Sequence, residues 1–245
     1  MSESFYTRSA AFYDAIHAGK AYADEAATVH ARIQAHLRSD GNALLDVGCG
    51  TGSHVAHLRA HYRTEGLDLE GQLLRIARER YPDATFHQGD MADFDLGSQF
   101  DAVTCLFSAI GYVRTEDGLR RAIASFARHL RPGGVAVVEP WLSPEGFRPG
   151  MMPRLDVSES AELTVARMGR TERDGDLSAI VFVHMVGYPG GIDYWEDRHL
   201  LGLFTHQQML DAFAAAGLEV VEYDAHGLIG RGLYVARRPE SAPPG

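Results

Sequence analysis

The sequence predicts an α/β fold: a doubly wound parallel sheet that carries an antiparallel insertion. Three observations predict it. The run Leu44-Leu45-Asp46-Val47 leads directly into Gly48, Gly50 and Gly52, the pattern of a buried parallel strand turning tightly into a helix. Short apolar runs then alternate with helical stripes as far as Glu139, which calls for parallel strands joined by right-handed crossovers. After Trp141 the pattern changes to longer extended segments separated by Asp174-Gly175 and Pro189-Gly190-Gly191, both hairpin signals. A chain of 245 residues, 45% hydrophobic, suffices for one sizeable α/β domain with such an embellishment.

Each element has its own warrant. Val29, Ile33 and Leu37 recur every four residues, an amphipathic helix from about residue 22 that Ser39-Asp40-Gly41 stops. Strands are expected over 43–47, 66–69, 84–88, 101–107 and 135–139. Helices over 54–62, 72–80 and 119–130 connect them, the last closed by Arg131-Pro132-Gly133-Gly134. Extended segments near 162–169, 177–188 and 192–203 make the meander. Thr205 and Gln208 form a capping box for a helix through Ala216, which Gly217 ends. Residues 218–223 and 232–237 are expected as an antiparallel hairpin at the sheet edge, and 241–245 as a disordered tail.

Bulk properties exclude several classes. A formal net charge of −10 argues against nucleic acid as a partner, since phosphate binding calls for basic patches. No apolar run reaches about eighteen residues and residues 1–10 hold no apolar signal core, so a soluble cytoplasmic protein without membrane contact is expected. Cys49 and Cys105 are the only cysteines, and both fall in predicted buried segments, which excludes a disulfide scaffold.

The glycine spacing carries the chemistry. A dinucleotide fingerprint places glycines at positions one, three and six. Here they stand at one, three and five, and the sixth position is Ser53. That variant resembles motif I of the class I S-adenosylmethionine (SAM) methyltransferases, a Rossmann-like fold with a seven-stranded sheet, and the NAD or FAD reading is set aside. In a doubly wound sheet the ligand lies beyond the carboxyl ends of the strands. The turn holding Gly48 and Gly50 would meet the methionine moiety. Asp68, ending the second strand, suits a ribose diol, because an ionised carboxylate offers two acceptor oxygens. Asp90 would accept the adenine amino group, Met91 would pack on the ring, and Leu106 with Phe107 would cover its other face. The acceptor side would take Tyr112, after strand four, and Glu139 and Trp141, after strand five; Glu139 would accept an amine N–H or its proton through water.

Beyond that motif, Val103-Thr104-Cys105-Leu106-Phe107-Ser108-Ala109-Ile110-Gly111-Tyr112 resembles the strand-four segment of nucleotide-amino-sugar N,N-dimethyltransferases, which act on dTDP-3-amino-3,6-dideoxyhexoses in macrolide antibiotic biosynthesis. Tyr13-Asp14, His87-Gln88-Gly89-Asp90-Met91, Val137-Val138-Glu139-Pro140-Trp141 and Gly230-Arg231-Gly232-Leu233 extend the likeness to nearly the whole chain, with residues 155–200 matching poorly. The resemblance implies a helical lid over residues 1–40, a SAM-binding core over 41–140 completed by 205–240, and an inserted cap over 141–204. It implies that Tyr13 and Tyr22 close over SAM, and that Tyr6, Tyr112, Glu139 and Arg231 face the sugar nucleotide. Arg148, Arg154 and Arg231 are candidates for its diphosphate. The chain departs from the family at Lys20-Ala21-Tyr22, at Trp141-Leu142, at His226-Gly227-Leu228-Ile229 and in the spacing of Tyr6, all on the acceptor side.

His54, His57 and His61 lie on one stripe of a predicted helix. With no acid or thiol on that stripe they read as a solvated face, and no metal is expected. The preferred activity is N,N-dimethylation of a dTDP-linked amino sugar, with the small-molecule substrate as partner and a homodimer as a possible assembly. Two alternatives are an N- or O-methyltransferase of another small metabolite and a non-catalytic SAM-binding module.

Overall fold

In the computed structural model, strand β1 (Ala43–Val47) is buried at all five positions, as its unbroken apolar run requires. The structure describes residues 12–17, 19–150 and 154–240, with the side chain of Arg154 outside that description. Strands β2 (Arg63–Asp68), β3 (Thr85–Gln88), β4 (Phe100–Cys105) and β5 (Leu130–Val138) join β1 in parallel, and β10 (Glu219–Asp224) and β11 (Leu233–Arg237) complete a seven-stranded sheet of order β10-β11-β5-β4-β1-β2-β3. Strand order reverses between β1 and β4, which opens a crevice at their carboxyl ends.

Alternate residues of the central strands feed two cores. Leu45, Val47, Val103, Cys105, Ala136 and Val138 pack with Leu119, Ile123 and Phe126 of helix α5 (Glu116–His129) and with Met209 and Phe213 of helix α6 (His206–Ala215). Leu44, Ala102, Val135 and Val137 pack on the other face with Val29 and Ile33 of helix α2 (Tyr22–His36) and Leu58 of helix α3 (Ser53–Leu58). Helices α1 (Tyr13–Ile16) and α4 (Gly71–Arg80) complete the set. The capping box forms: Thr205 Oγ1 accepts the Gln208 N–H at 3.1 Å, and Gln208 Oε1 accepts the Thr205 N–H at 2.9 Å.

The final hairpin forms the sheet edge as expected, with β10 outermost and β11 antiparallel between β10 and β5. Three sequence expectations need correction. Arg131-Pro132-Gly133-Gly134 lies within β5 rather than ending α5 in a turn, and its extra residues appear as a register shift between Phe100 and Ala102. The meander contains β7 (Thr164–Asp174), β8 (Leu177–Tyr188) and β9 (Gly191–Gly202), and a further strand, β6 (Arg154–Glu159), precedes them. Leu155 and Val157 alternate there with Asp156 and Ser158, and Asp156 pairs with Arg167 across the ladder at 2.9 Å. Finally, His54 is buried rather than solvated. Its Nε2 lies 2.8 Å from Glu25 on α2, while His57 and His61 are exposed.

Candidate active site

The cofactor side begins where β1 gives way to its glycines. Gly48, Gly50 and Gly52 all take left-handed φ values, of 72°, 56° and 81°. That conformation costs glycine nothing and other residues about 1 kcal/mol or more. The N–H groups of Gly48 and Cys49 both donate to the carbonyl of Leu67, at 2.7 and 3.1 Å, so the turn is fastened to β2. A Cβ on Gly48 would stand 2.6 Å from that of Ala109, whereas one on Gly50 would point into open space in the cavity wall.

Asp68 organises this side. Its Oδ2 accepts the Gly50 N–H at 2.7 Å and its Oδ1 the Glu70 N–H at 2.8 Å. Burial disfavours its charge and lifts its pKa to about 6, against the opposing pull of those two N–H groups. Asp90 Oδ1 accepts the Ala92 N–H at 2.8 Å, which turns the chain after β3 and sets Met91 on the wall. The N-terminal segment packs over this turn. Asp14 accepts the Thr51 hydroxyl at 2.7 Å and pairs with Arg80 on α4 at 2.6 Å. Lys20 pairs with Glu25 and lies 4.4 Å from the centre of the Phe107 ring and 4.9 Å from that of Tyr22.

The acceptor side is built on the turn after β4. Phe107 and Ser108 both adopt left-handed φ, 51° and 61°, without being glycine, a strain of about 1–3 kcal/mol each. Side-chain bonds hold them there. Glu139 Oε2 accepts the Phe107 N–H at 2.6 Å, Ser108 Oγ donates to the Pro140 carbonyl at 2.7 Å, and Arg231 Nη1 donates to Ser108 Oγ at 3.0 Å. The Arg231 guanidinium stacks 4.2 Å from the Trp141 ring centre, and Trp141 Nε1 donates to Ser178 Oγ at 2.7 Å. Tyr112, on the short 3₁₀ segment Ala109–Val113, meets His199 Nδ1 of β9 at 2.9 Å.

These two sides share one cavity of about 610 Å³. Tyr13, Tyr22, Gly48, Gly50, Asp68, Asp90, Met91 and Leu106 line it, and so do Tyr112, Trp141 and Arg231. Glu139 does not. Its backbone N–H continues the β4–β5 ladder onto the Cys105 carbonyl, its side chain is wholly buried against the Phe107 turn, and Oε1 has no hydrogen-bond partner among the described residues. Burial raises its pKa, with Arg231 pulling the other way. The expectation of a carboxylate exposed to the acceptor is therefore corrected, because the strained turn occupies it.

Tyr6, Met151 and Met152 lie outside the described residues, as does the tail 241–245. Arg148 bonds to the carbonyls of Glu145 and Phe147 and is not on the cavity wall, Arg231 is on it, and the side chain of Arg154 lies outside the described residues. Sequence reasoning missed Arg114, Arg121, Arg167 and Arg198, and with them His17, His184, Asp197 and His199, all of which line the cavity. The period-two alternation of β7, β8 and β9 is the signal that puts Arg167, His184, Asp197 and His199 on one face.

Residues 44–134 match the family described as Methyltransferase domain. The chain is 44% identical over 229 residues to the dTDP-3-amino-3,6-dideoxy-alpha-D-glucopyranose N,N-dimethyltransferase of Streptomyces fradiae, covering 92% of this chain and 89% of that one. It is 45% identical over 219 residues to the dTDP-3-amino-3,4,6-trideoxy-alpha-D-glucopyranose N,N-dimethyltransferase of Streptomyces venezuelae, covering 89% and 91%. The chain belongs to the dTDP-amino-sugar N,N-dimethyltransferases. The crystal structure of a member of this family, Streptomyces venezuelae DesVI, superposes with a TM-score of 0.87 at 42% identity, over 95% of this chain and 98% of that one. SAM-bound CalS10, an amino pentose methyltransferase from Micromonospora echinaspora, gives 0.83 at 42% identity over 97% and 99%.

The chain is thus a class I SAM-dependent methyltransferase with its meander as a second sheet, and among the described residues no helix is long and apolar enough to cross a membrane. Its residues fit the cofactor: Gly50 leaves room for close backbone approach, and the buried Asp68 presents a carboxylate on the same wall. Ribose hydroxyls would donate to the ionised carboxylate, so protonating Asp68 would remove an acceptor. The affinity for S-adenosylhomocysteine should fall about tenfold between pH 7 and pH 5, through the pKa near 6. Calorimetric titration tests this; an unchanged affinity, or the same pH response in Asp68→Asn, removes Asp68 from the ribose.

Proposed function

We propose that the chain transfers methyl groups, twice to one nitrogen, onto the amino group of a dTDP-linked amino-deoxysugar in antibiotic biosynthesis. The observation carrying this reading is the single cavity in which Asp68 and the glycine turn face the same space as Tyr112, Trp141 and Arg231. It is supported by relatives named for that reaction over about nine tenths of the chain.

SAM, when bound, supplies an electrophilic methyl group. Everything else falls to the chain. In this reading Gly48 and Gly50 meet the methionine moiety, Asp68 the ribose, and Asp90 with Met91 and Leu106 the adenine. Residues 1–40 act as the lid through Tyr13 and Tyr22, residues 41–140 and 205–240 as the core, and residues 141–204 as the cap. Tyr6, Tyr112 and Trp141 hold the sugar nucleotide, and Arg231, always charged and forked, takes an oxygen of its diphosphate. An amine whose pKa lies near ambient pH needs no strong base. Holding its lone pair in line contributes up to about 7–11 kcal/mol of barrier reduction. Glu139 supports this by keeping the Phe107–Ser108 turn in its strained shape.

Incubating the enzyme with SAM and dTDP-3-amino-3,6-dideoxyglucose should add one and then two methyl masses; retained SAM binding without turnover would sink this reading and leave a methyltransferase of another small metabolite or a binding module. Glu139→Ala, which removes the acceptor of the Phe107 N–H, should lower kcat at least about tenfold while leaving SAM affinity intact, and equal losses in both would make Glu139 a purely structural residue. We extend the reading to a homodimer, because Val157, Met185 and Tyr194 form an exposed apolar row across the outer face of the second sheet, Tyr194 at 77% exposure. Sedimentation showing only a 26.8 kDa species at micromolar concentration would remove the dimer.

A further inference from the structure

The inner face of the second sheet carries an unusual density of buried ionisable groups. His184, Asp197 and His199 are 2%, 8% and 9% exposed, and all three line the cavity. They come from adjacent strands: His184 stands opposite Trp195, Phe182 opposite Asp197, and Ile180 opposite His199. Asp197 accepts the Trp195 indole N–H at 3.1 Å and lies 3.2 Å from His184 Nε2. The core sheet's turn reaches this layer at one described hydrogen bond, between the Tyr112 hydroxyl and His199 Nδ1, 2.9 Å apart.

The polarity of that bond decides what Tyr112 offers the cavity. Burial, with His184 and Arg167 adding to it, lowers the His199 pKa to about 4 against the pull of Asp197, so the imidazole is neutral near pH 7. A neutral imidazole has one N–H and one lone pair. If Nδ1 carries the lone pair, the tyrosine hydrogen is committed to it, and toward any ligand the phenol oxygen is an acceptor only. If Nδ1 carries the hydrogen instead, the phenol must donate elsewhere. A donor beside the amine would tie up the lone pair that attacks the methyl group. An acceptor takes one of its N–H groups and leaves the lone pair in line.

We infer that His199 is a positioning residue for amine methylation: its Nδ1 accepts the Tyr112 hydroxyl and so makes the Tyr112 oxygen the acceptor that orients the amine. This rests on the reading under Proposed function and deepens it, since it makes the second sheet part of the acceptor site rather than a wall. It also predicts how substitutions rank. In asparagine the side-chain carbonyl takes the place of Nδ1; in glutamine it takes the place of Nε2.

The test measures kcat, KM and SAM affinity with dTDP-3-amino-3,6-dideoxyglucose in His199→Ala, His199→Asn, His199→Gln, Tyr112→Phe and the double variant His199→Ala/Tyr112→Phe. His199→Ala and Tyr112→Phe should each lose about tenfold or more in kcat, with SAM affinity unchanged. His199→Asn should recover most of that loss and His199→Gln little of it. The double variant should be no worse than Tyr112→Phe alone, because one residue acts through the other. Additive losses, equal recovery by glutamine, or a fall in SAM affinity parallel to that in kcat would each overturn the inference. If His199→Ala does not fold, Tyr112→Phe, which deletes a single oxygen, decides: wild-type kcat in that variant overturns it. A wild-type enzyme that leaves the amino sugar unmethylated sinks the proposed function and this inference with it, whereas an active wild type with an indifferent His199→Ala sinks the inference alone.

Discussion

One buried carboxylate holds the cofactor side together. Asp68 accepts a backbone N–H from the glycine turn after β1 and another from the loop after β2, so the two segments are set against each other. The register of β1 and β2 makes this possible, with Asp46 opposite Gly66 and Val47 opposite Leu67. Gly66 must be glycine there, since a Cβ would lie 2.7 Å from both Cys49 Sγ and the Phe86 ring. Removing the carboxylate would leave the buried Gly50 N–H unanswered, at about 1–3 kcal/mol, before any ligand is considered.

The acceptor side solves the opposite problem. A turn in an unfavourable backbone conformation is retained because a buried acid, a carbonyl and an arginine converge on it. Phe107 then faces both Lys20 and, edge-on at 5.3 Å, His17, so this turn also seats the N-terminal segment.

Features written into contiguous residues are legible in the sequence. The glycine spacing and the Thr205–Gln208 box each depend on neighbours within a few positions, and both take the expected form. What long-range pairing decides is not legible. His54 looks like one member of an exposed stripe until Glu25 of α2 arrives beside it. Arg131-Pro132-Gly133-Gly134 carries every local sign of a helix stop, yet it bulges past β4 inside β5, where Gly133 and Gly134 exchange backbone bonds with Arg238, more than 100 positions away. Glu139 reads as a free strand-end acid because no local pattern foretells that Phe107, 32 positions earlier, will need an acceptor. The Tyr112–His199 bond spans 87 positions and two sheets, beyond the reach of any periodicity.

The placement of β11 has a consequence for assembly. This strand follows β10 in the chain but lies inside it in the sheet, so β10 has nothing to pair with until β11 has been synthesised. While residues 139–232 leave the ribosome, the outer edge of β5 stays open, and the whole second sheet can close on itself meanwhile. An open edge on a central strand invites pairing with a neighbouring nascent chain. Slow translation across that interval would therefore endanger yield more than the same delay anywhere earlier in the message.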